Sequence, residues 1–133
     1  MATFAPNGRW IAYASNERGP RDVYVQPFPP NGEKYLVSQD GGAEPVWRRD
    51  GKELFFLSVG DGRMMAVAVD TTRSFEAGMP RALFQPNAAR FNTGYGDYAV
   101  SRDGQRFLIN SRREQVSPPP LTVVVNWLAA VQK

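Results

Sequence analysis

The chain has 133 residues, with 16 Lys and Arg against 13 Asp and Glu, which gives a net charge of +3. It contains neither Cys nor His, and this excludes a Ser-His-Asp triad, a Cys nucleophile and the usual zinc or haem sites. The length fits one domain, and no apolar run approaches the roughly 20 residues of a membrane-spanning helix.

The N-terminal residues Met1 to Pro6 lack the basic and apolar regions of a signal peptide. We therefore expect a soluble protein with no cofactor, no bound metal and no membrane insertion. Its compartment stays unknown, because a chain without Cys gives no redox signal. The cations are scattered and do not form a dense basic stripe, so we also expect no nucleic-acid partner.

In chain order, the apolar and β-branched segments predict eleven strands separated by Gly- and Pro-rich turns. They span residues 2–5, 11–15, 22–26, 34–38, 44–47, 54–58, 64–69, 81–85, 97–100, 107–111 and 121–125. Residues 127–131 fit either a short helix or a further strand.

Three of these strands follow the same kind of turn, which marks an internal repeat. The turns are Asn7-Gly8, Asp50-Gly51 and Asp103-Gly104, and each precedes an apolar stretch that ends in Ser. Asn-Gly and Asp-Gly tolerate the positive φ of tight turns. The second interval between the turns is ten residues longer than the first, and the excess falls in the Gly- and Asn-rich segment 86–96.

About four strands in each repeat of a little over forty residues are typical of β-propeller blades. The sequence therefore predicts an all-β propeller fold with about three four-stranded blades, at residues 2–39, 40–86 and 95–133. The two tryptophans beside the repeat turns, Trp10 and Trp47, are expected to pack between blades. The recurring Ser15, Ser58 and Ser111 are expected to have structural roles in turns.

The segment Pro6-Asn7-Gly8-Arg9-Trp10-Ile11-Ala12-Tyr13 resembles the Ser-Pro-Asp-Gly-Lys/Arg repeat of TolB-type, WD-like β-propellers. Residues 23–29 and 45–47 also resemble the last blades of bacterial propeller domains. Such domains are C-terminal sensor or scaffold regions, including those of some membrane-tethered bacterial protein kinases. The second and third copies depart from the pattern, because Arg49 and Arg102 stand where Pro is usual.

Three blades cannot close a propeller ring, which usually has four to eight blades. Two explanations remain open: the chain is the C-terminal part of a longer propeller, or two copies associate head-to-tail into a six-bladed ring. We favour the homodimer. The third blade also lacks a predicted outer strand.

Propeller ligands bind at loops, and here the loops after the second and fourth strands of each blade share one face. We predict that this face, or the central channel, binds a protein partner or a small ligand; the alternative is a solvated rim with local ion pairs. The candidate binding residues are Arg18, Arg21, Glu44, Arg90, Asn92, Tyr95, Arg112 and Arg113. The segments 40–44 and 61–62 carry oxygen ligands but lack the spacing of a calcium loop, so no metal or catalytic residue is assigned.

The sequence favours a non-catalytic binding or scaffold module. One alternative is a hydrolase that uses carboxylates or a bound cation. The other is a structural piece of a larger bacterial kinase or peptidase propeller.

Overall fold

A computed structural model of the chain describes residues 2–86, 98–111 and 121–126, with side chains in 2–86 and 98–109. Every regular element in these ranges is a β-strand. The strands are β1 (Ala2–Phe4), β2 (Trp10–Ser15), β3 (Asp22–Pro27), β4 (Tyr35–Leu36), β5 (Ala43–Trp47), β6 (Glu53–Leu57), β7 (Met64–Asp70), β8 (Glu76–Ala77), β9 (Arg81–Phe84), β10 (Tyr98–Val100), β11 (Arg106–Ser111) and β12 (Leu121–Asn126).

The strands form three antiparallel sheets, which are the three blades. Blade 1 has the order β1-β2-β3-β4, and blade 3 has the order β10-β11-β12. In blade 2 the order β5-β6-β7 ends with two short strands, β8 and β9, which both pair with β7. The all-β propeller prediction is confirmed. All eleven predicted strands are present, and β8 is the one strand of the described residues that the sequence did not predict.

The three repeat turns have the same geometry. The amide N–H of Gly8, Gly51 or Gly104 donates to the carbonyl three residues earlier, at 2.8 to 3.0 Å. The φ angles of these glycines are 71°, 74° and 71°, in the left-handed region that favours glycine. The three glycines therefore occupy equivalent positions, as the repeat predicts.

The side chains before these glycines stabilise the turns. The carboxyl or amide oxygens of Asn7, Asp50 and Asp103 each accept the N–H two residues further on, at 2.9, 3.0 and 2.9 Å. This is the local hydrogen bond for which Asn and Asp are favoured in turns. The interpretation of Asp50 and Asp103 as turn residues is confirmed.

Blades pack face to face, and alternate residues of each strand point to opposite faces. We call the face of a blade that points to the following blade its forward face, and the opposite face its back face. The forward face of blade 1, with Trp10 and Ala12, packs on the back face of blade 2, with Trp47, Leu54 and Phe56.

The same arrangement recurs between blades 2 and 3. Phe55 and Leu57 of the forward face of blade 2 pack on Tyr98, Phe107 and Ile109 of the back face of blade 3. The rings of Phe55 and Phe107 meet edge to face at 5.1 Å between centroids. The core thus consists of two apolar layers, one at each junction between blades.

Hydrogen bonds also cross these junctions. The indole N–H of Trp47 donates to the carbonyl of Thr3 at 3.1 Å, and the Tyr98 hydroxyl donates to the carbonyl of Glu44 at 2.6 Å. Trp10 and Trp47 are buried at the junction of blades 1 and 2, which confirms the expectation for both. Helices long and apolar enough to cross a bilayer are absent from the described residues.

Candidate functional site

Antiparallel pairing brings three loops to one end of blades 1 and 2. They are the β2–β3 loop, the β4–β5 connection and the β6–β7 loop. The amide N–H of Gly42, in the β4–β5 connection, donates to the carbonyl of Arg21 at 2.8 Å. This hydrogen bond joins two of the loops and confirms that they share a face.

Glycines fix the β4–β5 connection against blade 2. A Cβ at Gly42 would lie 2.8 Å from the Phe56 ring and 2.9 Å from a Val23 methyl group, which leaves no space for a side chain. Gly41 has φ +80°, and a Cβ there would lie 3.1 Å from Val59. Asp40, which precedes them, is therefore held at a defined place on the loop face.

Ser38 anchors the start of the same connection. Its hydroxyl donates to Asp22 at 2.8 Å and accepts the amide N–H of Val23 at 3.0 Å. The Ser38 side chain is buried, so this pair of bonds satisfies a polar group that would otherwise be costly to bury. Ser38 is a structural residue of the site.

A cleft of about 200 Å³ opens between the β4–β5 connection and the β6–β7 loop. Phe56 and Met65 contribute apolar surface to the cleft. Its polar lining comes from these two loops: Gln39, Asp40, Ser58, Asp61 and Arg63. A cleft that joins an apolar surface to a few polar groups is the usual form of a ligand site.

Asp61 is ionised and partly neutralised inside this cleft. Its carboxylate accepts the backbone N–H of Arg63 at 3.1 Å and lies 3.2 Å from the Arg63 Nε. The N–H bond from Arg63, together with a bond from the Ser58 hydroxyl, lowers the pKa of Asp61 below its ordinary value. The exposed Asp40 carboxylate adds a second negative charge, so the cleft holds two carboxylates and one guanidinium.

The described residues of the cleft do not provide the ligands of a metal site. Among the described residues, no group of three or more Asp, Glu, His or Cys side chains could hold a metal ion. Asp40 and Asp61 line one cleft, whereas Glu44, which was considered with Asp40 as an oxygen ligand, is not among its lining residues.

The structure places only part of the predicted site. Arg18 and Arg21 are exposed in the β2–β3 loop, as expected for a loop face. Glu44, predicted as a candidate binding residue of the loop face, is instead 3% exposed, lies within β5 and has a φ of 55°, so its side chain is not presented on that face. Tyr98 of the following blade contacts this position, because its hydroxyl donates to the backbone carbonyl of Glu44 at 2.6 Å. Arg90, Asn92, Tyr95, Arg112 and Arg113 lie outside the described residues.

Gln39, Ser58 and Arg63 line the cleft, and sequence reasoning did not single them out as binding residues. A signal for Arg63 is present in the sequence, because Asp61-Gly62-Arg63 is an Asx-turn pattern with a cation two residues after the carboxylate. Gln39 and Ser58 carry no comparable local signal. They meet only because two blades pack together.

A second charged group lies at the opposite end of blade 2. The buried carboxylate of Glu53 accepts from Arg48 at 3.2 Å and from Arg81 at 2.9 Å. Asp50 also binds the Arg48 guanidinium and raises the pKa of Arg48, while Arg48 lowers the pKa of Asp50. All carboxylates in this group are paired, which fits a structural role.

The three-blade arrangement is that of a β-propeller, and comparison with solved structures agrees. TolB from Acinetobacter baumannii superposes with a TM-score of 0.62 at 16% identity, over 96% of this chain and 29% of that one. A protein assigned as a 6-phosphogluconolactonase, from Bacteroides uniformis, superposes with a TM-score of 0.55 at 16% identity, over 94% of this chain and 39% of that one.

The chain therefore has a TolB-type β-propeller fold, as its repeat predicts, and spans less than half the length of either of these structures. No protein-family model matches the sequence, and no curated protein matches it.

Proposed function

We propose that this chain is a non-catalytic β-propeller binding module, and that the loop-face cleft holds a cationic side chain of a partner protein. The observation that carries the proposal is the exposed Asp40 carboxylate, held by the closely packed Gly41 and Gly42 beside ionised Asp61. A rigid frame that presents a fixed carboxylate loses little entropy when a ligand binds.

The charge of the cleft favours a cation over an anion. Asp61 already pairs with Arg63, so the Asp40 carboxylate supplies the net negative charge of the cleft. A guanidinium from a partner would form charge-assisted hydrogen bonds with such a carboxylate. The half-buried Met65 side chain would contact the aliphatic part of an Arg or Lys side chain.

An NMR titration tests this proposal with two blocked tripeptides, Gly-Arg-Gly and Gly-Glu-Gly. The Arg peptide is expected to shift the amide signals of residues 39–42 and 58–63, and the Glu peptide is not. The Asp40→Asn variant should bind the Arg peptide about tenfold more weakly, because it loses the charge but keeps the shape. Asp70→Asn, an exposed Asp away from the cleft, is the matched control and should bind normally.

Equal shifts with both peptides, or unchanged binding by Asp40→Asn, would contradict the proposal.

A hydrolase is the second candidate, favoured by the placement of Asp40 and Asp61 in one cleft and by the fold that the chain shares with the protein assigned as a lactonase. Paired carboxylates can serve as general acid and base. The candidate predicts turnover of a lactone, an ester or a glycoside that Asp40→Asn abolishes. Such turnover would replace the binding proposal.

A further inference from the structure

The two end faces of the described blades carry apolar side chains at repeat positions that are buried inside the molecule. Phe4, in β1, occupies the back-face position of Trp47 in β5, because each is the last residue before the shared turn and each pairs with the third residue after the turn glycine. Trp47 is 7% exposed, whereas Phe4 is 53% exposed.

Neighbouring positions on this back face show the same difference. Ile11 and Tyr13 of blade 1 correspond to Leu54 and Phe56 of blade 2, which are 0% and 2% exposed because blade 1 covers them. Ile11 and Tyr13 are only half-buried. The back face of blade 1 therefore has the composition of a blade junction without the covering blade.

The forward face of blade 3 shows the complementary feature. Leu108 occupies the repeat position of Ala12 and Phe55, both of which are fully buried at a junction. Leu108 is 44% exposed and lines an apolar groove of about 300 Å³ together with Ala99 and Arg106. This forward face has the type of surface that covers a back face at both internal junctions.

We propose that the forward face of blade 3 docks on the back face of blade 1 of a second copy of this chain, so that two copies close one ring. A second copy is the occupant because its blade 3 offers the equivalent of the surfaces that already cover blades 2 and 3. The interface is head-to-tail and closes after one twofold step, so it forms twice in each dimer. Exposed apolar surfaces of this kind mark protein interfaces.

The mass in solution tests the docking, by light scattering after size exclusion. The wild-type chain is expected at twice 14.8 kDa. Phe4→Glu and Leu108→Glu should each shift the mass towards 14.8 kDa, because each places a charge in both interfaces of the dimer. Both side chains are half exposed, so a thermal melt should show that each variant stays folded.

Met79→Glu is the matched control. Met79 is an equally apolar, exposed residue that lies between β8 and β9, away from both end faces. This variant should remain a dimer. A wild-type mass of 14.8 kDa, or dissociation of Met79→Glu to the same extent, would overturn the proposal.

A mixture of the two end-face variants separates head-to-tail docking from other pairings. The Phe4→Glu variant keeps an unaltered blade 3, and the Leu108→Glu variant keeps an unaltered blade 1. A mixed dimer can therefore form one intact interface between these two blades. Native mass spectrometry should show the mixed dimer in excess over either variant paired with itself. Dissociation by Phe4→Glu alone, with Leu108→Glu unaffected, would instead show pairing of two back faces and overturn the proposal.

Discussion

Gly8 and Gly42 restrict the sequence for different physical reasons. Gly8 has a φ of +71°, but nothing lies within 4 Å of the place where its Cβ would be. Gly42 carries no positive φ, yet a Cβ there would meet Phe56, Val23 and Ser38 at 2.8 to 3.0 Å. One position is limited by backbone conformation, and the other is limited by packing between blades.

Replacing each glycine by alanine should separate these two effects. Gly42→Ala is expected to lower the free energy of unfolding by about 1–3 kcal/mol, because it overpacks a close junction. Gly8→Ala should cost about 1–2 kcal/mol through backbone strain. Chemical denaturation measures both values, and the Arg-peptide titration separates them further, since only Gly42→Ala should weaken binding in the cleft. Unchanged binding by Gly42→Ala would contradict the role of Gly42 in holding Asp40.

At the scale of elements, the turn of blade 3 has the same hydrogen bonds as the turn of blade 1 without the proline. Gly104 donates to the Ser101 carbonyl as Gly8 donates to Ala5, so Arg102 stands at the position of Pro6. This is the second position of a β-turn, where the fixed φ of proline is favoured. Arg102 is exposed, and its amide forms no backbone hydrogen bond in this turn.

Arg102→Pro is therefore expected to stabilise the protein by about 0.4–1 kcal/mol, because it restricts the unfolded chain at no cost to the folded turn. Gln105→Pro is the matched control in the same turn. Its backbone N–H donates to Asp103 at 2.9 Å, so this variant should destabilise the protein. Thermal unfolding monitored by circular dichroism checks both, and destabilisation by Arg102→Pro would contradict the equivalence of the two turns.

In the described part of the molecule, each blade packs against its sequence neighbour. In such repeat architectures, stability is close to a sum of the blades and the junctions between them. At each of the two junctions described here a buried aromatic side chain donates a hydrogen bond to a backbone carbonyl of the neighbouring blade, from Trp47 to Thr3 and from Tyr98 to Glu44. Burial raises the pKa of Tyr98 well above its ordinary value of 10.0, so its hydroxyl remains a donor at neutral pH.

Tyr98→Phe and Trp47→Phe should each cost about 1–3 kcal/mol, because each leaves a carbonyl without its donor. Hydrogen exchange should locate the two losses at different junctions. Tyr98→Phe should reduce protection in β10 and β11 more than in β2 and β3, and Trp47→Phe should do the reverse. If both variants reduced the protection from hydrogen exchange equally in every blade, the two junctions would not contribute separately to the stability of the protein.

The repeat determined the strands and the propeller fold in advance, because its signals are local. An Asn-Gly or Asp-Gly turn and the apolar stretch after it act within one hairpin, as the equivalent φ angles of Gly8, Gly51 and Gly104 show. β8 was missed because Glu76 and Ala77 are exposed and have no apolar pattern. Its pairing depends on the neighbouring strand β7 and not on its own residues.

The cleft and the buried position of Glu44 were decided only by the tertiary structure. Asp40 and Asp61 are 21 positions apart in the sequence, and they line one cleft because blade 2 packs against the connection from blade 1. Glu44 is charged and follows Gly41 and Gly42, yet it is 3% exposed, and the hydroxyl of Tyr98, 54 residues away, donates to its backbone carbonyl. Local patterns specify hairpins, whereas the contacts between blades depend on residues far apart in the chain, and those contacts decide which polar side chains meet and which are buried.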